Sequence, residues 1–90
     1  MSDTDTPTFR IGVRVTLRSA VLDPQGGAIL RGLSALGFTE IEEVHAGKYF
    51  ALVIRATDPE AALTGARRAC ERLLSNPVIE TFALAVEDTS

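Results

Sequence analysis

Apolar and polar residues alternate without a break from Phe9 to Arg18. Phe9, Ile11, Val13, Val15 and Leu17 share one side of an extended chain, and Arg10, Gly12, Arg14, Thr16 and Arg18 share the other, so this stretch predicts a half-buried strand. The period then changes. Beyond Pro24, Ile29, Leu30, Leu33 and Leu36 recur at helical spacing. Gly37 ends that helix in a left-handed cap, with Phe38 folding back towards Leu33. A second extended region covers 39–57, anchored early by Ile41 and Val44 and strongly strand-like over 49–55. Ala46-Gly47-Lys48 interrupts it, and glycine there predicts either a tight hairpin turn or a bulge in one long strand. A second helix opens at Asp58-Pro59. Leu63, Ala66, Cys70, Leu73 and Leu74 form its inner stripe, and Glu60, Arg67, Arg68, Glu71 and Arg72 its solvated face, until Asn76-Pro77 halts it. The last strand starts at Val78 or Ile79 and reaches Val86. Phe82, Leu84 and Val86 lie on one face, and the smaller Thr81, Ala83 and Ala85 on the other.

The order β-α-β(-β)-α-β predicts an α+β, ferredoxin-like split β-α-β fold: an antiparallel sheet of three or four strands with two helices on one face. The sheet has three strands if Gly47 is a bulge and four if it is a turn. Residues 1–8 are polar, lack apolar periodicity and read as a disordered leader; 9–87 form a single domain and 88–90 a tail.

The two helix starts differ in an informative way. In Val21-Leu22-Asp23-Pro24-Gln25-Gly26-Gly27, Asp23 caps the free amides and Pro24 suits the first helical position, but each glycine costs a helix interior about 1 kcal/mol relative to alanine. Asp58-Pro59 is followed by Glu60-Ala61-Ala62, which propensity alone would select. Gly26 and Gly27 were therefore not needed to begin a helix. They predict close approach by another backbone, a ligand or a partner chain. A second irregularity lies in the sheet. Residues 49–54 are apolar on both faces, with Phe50, Leu52 and Ile54 on one and Tyr49, Ala51 and Val53 on the other. A sheet covered on one side needs only one such face, so the extra one predicts a buried protein contact.

Composition narrows the function. The chain has 90 residues, is 46% hydrophobic and carries nine basic against twelve acidic residues, a net charge of −3. That balance argues against a nucleic-acid binder, and Arg10, Arg14 and Arg18 stand where an RNA-recognition fold would carry stacking aromatics. No apolar run approaches a membrane span and no leader resembles a signal peptide, which predicts a cytoplasmic protein. One histidine and one cysteine cannot build a nucleophile–base pair from distant elements. Cys70 reads as a small buried hydrophobe and His45 as a surface residue beside Glu42 and Glu43. Glu40, Glu42 and Glu43 read as a charged strand edge, and Gly47-Lys48 lacks the frame of a phosphate loop.

V-L-D-P-Q-G at 21–26, G-K-Y at 47–49 and N-P-V-I-E at 76–80, with the strand V-x-V-T-L and the helix end L-x-x-L-G-F, resemble the PurS family over about residues 9 to 87. PurS is the small subunit of phosphoribosylformylglycinamidine synthase. The resemblance implies membership of a complex that converts formylglycinamide ribonucleotide, glutamine and ATP to formylglycinamidine ribonucleotide, glutamate, ADP and phosphate. It also implies no catalytic residue, metal or cofactor on this chain, with ATP and magnesium held by a synthetase subunit. The implied partners are a second copy (dimer or tetramer), a glutaminase subunit and the synthetase subunit, with ammonia passing between the last two. Asp23, Gln25, Gly26, Gly27, Gly47 and Lys48 are the candidate contacts with other subunits. Tyr49, Ala51, Val53, Ala83 and Ala85 are the candidates for self-association. The rival reading is a ferredoxin-like regulatory module that binds a small molecule.

Overall fold

The computed structural model describes residues 6–19 and 21–87; residues 1–5 of the expected leader and the whole expected tail lie outside them. Five segments of regular structure follow one another: β1 (Thr8–Leu17), α1 (Pro24–Ala35), β2 (Gly47–Arg55), α2 (Pro59–Ala69, continued by a π-helical turn over Cys70–Leu74) and β3 (Glu80–Glu87). They form one antiparallel sheet in the order β2-β1-β3. Strand β1 takes Thr8 from the expected leader, pairing it with Arg55, while Ala56 N donates to Pro7 O at 3.1 Å.

The period-two pattern sets which face is buried. Ile11, Val13 and Val15 of the central strand are fully buried. On the same face β1 pairs Val13 with Phe50 and Leu84, and Ile11 with Leu52 and Val86. Helix α2 lies over this face and supplies Ala62, Ala66 and Cys70, all fully buried. Small residues there let the helix axis come close to the strands. Arg67, on the expected solvated face, reaches over the Phe82 ring at 5.9 Å from its centroid.

Three expectations change. Gly47 is neither a hairpin turn nor a bulge: it is the first residue of β2, opposite Thr16, and the chain before it (39–46) is irregular. The sheet therefore has three strands, and Glu40, Glu42 and Glu43 lie on that exposed connection, not on a strand edge. Leu73 leaves the inner stripe of α2 and is 83% exposed. The cause is the π-helical turn, in which Ser75 N donates to Cys70 O at 3.0 Å. Its wider spacing rotates the last residues off the α-helical stripe, so Leu74 faces the core and Leu73 does not.

The third change concerns α1. Its ends are built as the sequence predicts. Asp23 caps the start, and Gly37 (φ 100°) ends it with Phe38 N donating to Leu33 O at 3.0 Å and Gly37 N to Ser34 O at 3.1 Å. Its apolar stripe, however, does not join α2 over the sheet. Gly26 is its only buried residue, and Ile29 and Leu36 are 44% and 76% exposed.

Candidate assembly site

The three motif segments meet at one end of the sheet, where β1 finishes and β2 begins. Asp23 is the hub. Its Oδ1 accepts from Gly26 N and its Oδ2 from Ala46 N, both at 2.9 Å, so one carboxylate caps α1 and ties down the connection entering β2. These two backbone donors, Gly26 first, hold its carboxyl below the usual carboxylate range. The same closeness accounts for Gly26. A Cβ there would stand 2.3 Å from Val44 O and 2.5 Å from Asp23 Oδ2, so the backbone that approaches this glycine belongs to its own chain. Gly47 has a similar reason: its Cβ would lie 2.5 Å from Val15 O. Gly27 has none of this kind, since its nearest neighbour would be Arg31 Nη1 at an ordinary 3.5 Å.

Lys48, next along β2, reaches across the end of β1 to β3, where its Nζ lies 3.4 Å from Glu80 Oε2. Glu80 Oε1 accepts from Asn76 N at 2.7 Å, and Asn76 Oδ1 accepts from Val78 N at 3.1 Å, which turns the chain from α2 into β3. The Asn76 amide, then Lys48, holds the Glu80 carboxyl low. Arg18 braces the same turn by donating from Nε (3.1 Å) and Nη2 (2.8 Å) to Pro77 O. Asp23, Gln25, Gly47, Lys48 and Glu80 thus border one open recess of about 210 Å³. Gln25 and Lys48 are exposed on its rim. Residues 23, 48 and 80 are far apart in sequence, and the sheet register brings them together.

The open face of the sheet carries the second set of candidates. Tyr49, Ala51, Val53, Ala83 and Ala85 are all exposed there. Ala51, Gly12 and Ala85 form one row across the three strands, which makes a shallow trough. A polar bridge spans it: Tyr49 Oη donates to Glu87 Oε2, and Arg10 Nε donates to Glu87 Oε1 at 3.2 Å. The bridge passes over Gly12, whose Cβ would lie 2.9 Å from Glu87 and from Tyr49 Oη. Sequence reasoning missed Gly12, Val44, Glu80 and Glu87. The signal for Gly12 was a glycine inside an otherwise faultless alternation; pairing to the other three needs the register.

The bridge has a pH signature. Its hydrogen bond with Tyr49, and then Arg10, lowers the Glu87 carboxyl, while the same bond to Glu87 raises the Tyr49 phenol. A depressed carboxylate contributes stability above its unfolded pKa and loses it as pH falls through the folded value. A raised phenol contributes below its unfolded pKa and loses it as pH rises through the folded value. Stability should therefore hold a plateau between about pH 4 and pH 10 and decline on both sides. Tyr49→Phe should flatten the alkaline decline, read as urea midpoints from pH 9 to 11. An unchanged alkaline limb would show that the bridge does not persist in solution.

The remaining chemistry is sparse. Cys70 is buried, and desolvation pushes its thiol up. His45 is exposed and pairs with Glu43 at 3.2 Å. Among the described residues no group of three His, Cys, Asp or Glu side chains could hold a metal ion, and no helix is long and apolar enough to cross a membrane.

Comparison with known proteins identifies the family. Residues 10–88 match the family model described as PurS: Phosphoribosylformylglycinamidine (FGAM) synthase. The Mycobacterium leprae synthase subunit PurS is 44% identical over 80 residues, covering 87% of this chain and 95% of that one. The Bacillus subtilis subunit is 36% identical, covering 89% and 94%. Among solved structures, the purS subunit from Thermotoga maritima superposes with a TM-score of 0.86 at 33% identity, covering 91% of this chain and 94% of that one. A chain of the PurLQS structure from Thermotoga maritima gives a TM-score of 0.84 at 33% identity, covering 90% and 99%. With the family model spanning the folded region and relatives above 30% identity along nearly their whole length, this chain belongs to the PurS family, the small-subunit family of phosphoribosylformylglycinamidine synthase.

Proposed function

We propose that this chain works in the cytoplasm as a non-catalytic subunit of phosphoribosylformylglycinamidine synthase in purine biosynthesis, bridging a glutaminase and a synthetase subunit. The observation that carries the reading is the convergence of the three family-like motifs on one recess that has hydrogen-bonding groups on its rim and no reactive pair. Glutamine hydrolysis and ATP-dependent activation of the formylglycinamide then belong to the partner chains, with ATP and magnesium on the synthetase. This chain holds the two sites in register so that ammonia released at one reaches the other. Its presence in the assembly is supported by the similarity to a chain of the PurLQS structure.

The residues divide by role. Gln25 and Lys48 on the rim meet the catalytic subunits, as does Gly27 in the neighbouring hollow between α1 and the 42–46 connection, while Asp23, Gly26 and Gly47 shape the recess. The open face around Tyr49, Ala51, Val53, Ala83 and Ala85 serves self-association. Gly27→Ala separates assembly from folding. It removes a helix glycine with room for a methyl, so the isolated chain should gain about 0.5–1 kcal/mol. Glutamine-dependent synthesis by the reconstituted complex should fall, because the methyl intrudes into the hollow beside the recess where a partner would seat, while synthesis driven by added ammonium salt persists. Full glutamine-dependent activity in this variant and in Gln25→Arg would remove the rim from the contact.

A further inference from the structure

The hollow between α1 and the 42–46 connection measures about 320 Å³ and shares Leu17, Asp23 and Ala46 with the recess beside it. Its walls are aliphatic. Leu17, Val21, Leu30 and Val44 are half-buried there, and Leu22, on the same lining, is 84% exposed. Gly27 completes the lining, and a Cβ there would meet only Arg31 Nη1 at an ordinary 3.5 Å. Ligand cavities run from about 300 to 1,000 Å³, so this one has room for one or two side chains. An occupant that ended inside the hollow would leave Leu22 in water, whereas a segment of a partner protein covers both.

The charges on the lining say which kind of partner. With His45 neutral, they are one positive, Arg18, against three negative, Asp23, Glu42 and Glu43. Most are already engaged. Arg18 donates from Nε and Nη2 to Pro77 O, both Asp23 oxygens accept from backbone amides, and Glu43 pairs with His45. Glu42 is exposed and has no hydrogen bond or ion pair among the described residues. The hollow therefore offers one uncommitted carboxylate on an apolar wall. Lysine and arginine match that combination in a single side chain, because their aliphatic stems lie along apolar surface while the cationic head stays at its edge. Asp23 keeps the acidic wall in place, since its Oδ2 holds Ala46 N at 2.9 Å.

We propose that this hollow seats a lysine- or arginine-bearing segment of one catalytic subunit, with the stem against Val21, Leu30 and Val44, the head on Glu42 and an aliphatic neighbour over Leu22. The inference rests on the reading of this chain as a bridging subunit. Its test is a titration of the full chain into the glutaminase and synthetase subunits, read as the concentration that half-saturates glutamine-dependent synthesis. Glu42→Lys and Leu22→Asn should each raise that concentration about tenfold, with little change in the rate at saturation. Both positions are exposed, so the urea midpoint of the isolated chain should hold. Added salt should narrow the gap for Glu42→Lys and not for Leu22→Asn, because screening weakens only the charge repulsion. Glu60→Lys, the same charge change in the first turn of α2, should leave half-saturation unchanged. No stimulation by the unaltered chain would overturn the bridging reading and this inference together. Stimulation with unchanged half-saturation in either variant, a Glu42→Lys effect indifferent to salt, or an equal effect of Glu60→Lys would overturn this inference alone. So would self-association weakened by the two variants in sedimentation, which would seat a second copy in the hollow. Stabilisation of the isolated chain by millimolar glutamine, lost in Glu42→Lys, would likewise overturn it by seating a free small molecule there.

Discussion

Gly26→Val should destabilise the isolated chain by about 2–4 kcal/mol, the range of a severe steric insertion. The Cβ alone would stand 2.3 Å from a backbone oxygen, that of Val44, which cannot swing aside as a side chain can. Relief requires either moving the 41–46 connection or pulling Asp23 from Ala46 N, and both loosen the entry into β2. The loss should show as a lower urea midpoint. Faster amide exchange at Ala46 should accompany it, because that amide would lose its carboxylate partner. Gly27→Ala, one residue on, should move stability the opposite way. A Gly26→Val chain within about 0.5 kcal/mol of the unaltered one, the usual range for surface changes, would mean that the close approach of Val44 does not exist in solution.

That contrast shows what could be read before the register was known. Comparing Asp23-Pro24 with Asp58-Pro59 isolated Gly26 and Gly27 as residues that helix formation did not require, and a backbone does press on Gly26. It could not reveal that the backbone is the chain's own, because Val44 lies 18 positions away on a connection with no periodic pattern. The strands were legible because period-two alternation ties each residue to a face, and Ile11, Val13, Val15, Phe50, Leu52, Ile54, Phe82 and Leu84 all fall where it puts them. Helix periodicity was weaker evidence. It marked Ile29 and Leu36 as apolar stripe residues, yet amphipathicity says that a face is covered, not by which chain. It also assumed 3.6 residues per turn through Leu73, where the π-helical turn breaks the count. The recess was legible only as three separate motifs. Lys48 and Glu80 touch because β2 and β3 both flank β1, and no spacing within one element encodes that pairing.

Ile11→Ala should cost about 3 kcal/mol, the middle of the range for truncating a large buried aliphatic. Ile11 is fully buried on the central strand, between Leu52 and Val86 and beneath α2. The site cannot collapse easily. Backbone hydrogen bonds on both sides fix β1, and Ala62 and Ala66 above it are too small to fill a void. In a domain of this size such a loss approaches the whole margin of stability. The proposed self-association adds a further consequence. Its folded state is supported by mass action, so thermal midpoints should rise with protein concentration, and the dependence should be easiest to see in a destabilised chain. Ile11→Ala should therefore melt well below the unaltered protein at low micromolar concentration and recover several degrees at hundredfold higher concentration. A large loss that ignores concentration would place all of the stability inside one chain. A loss below about 1 kcal/mol would mean that the sheet and α2 do not enclose Ile11.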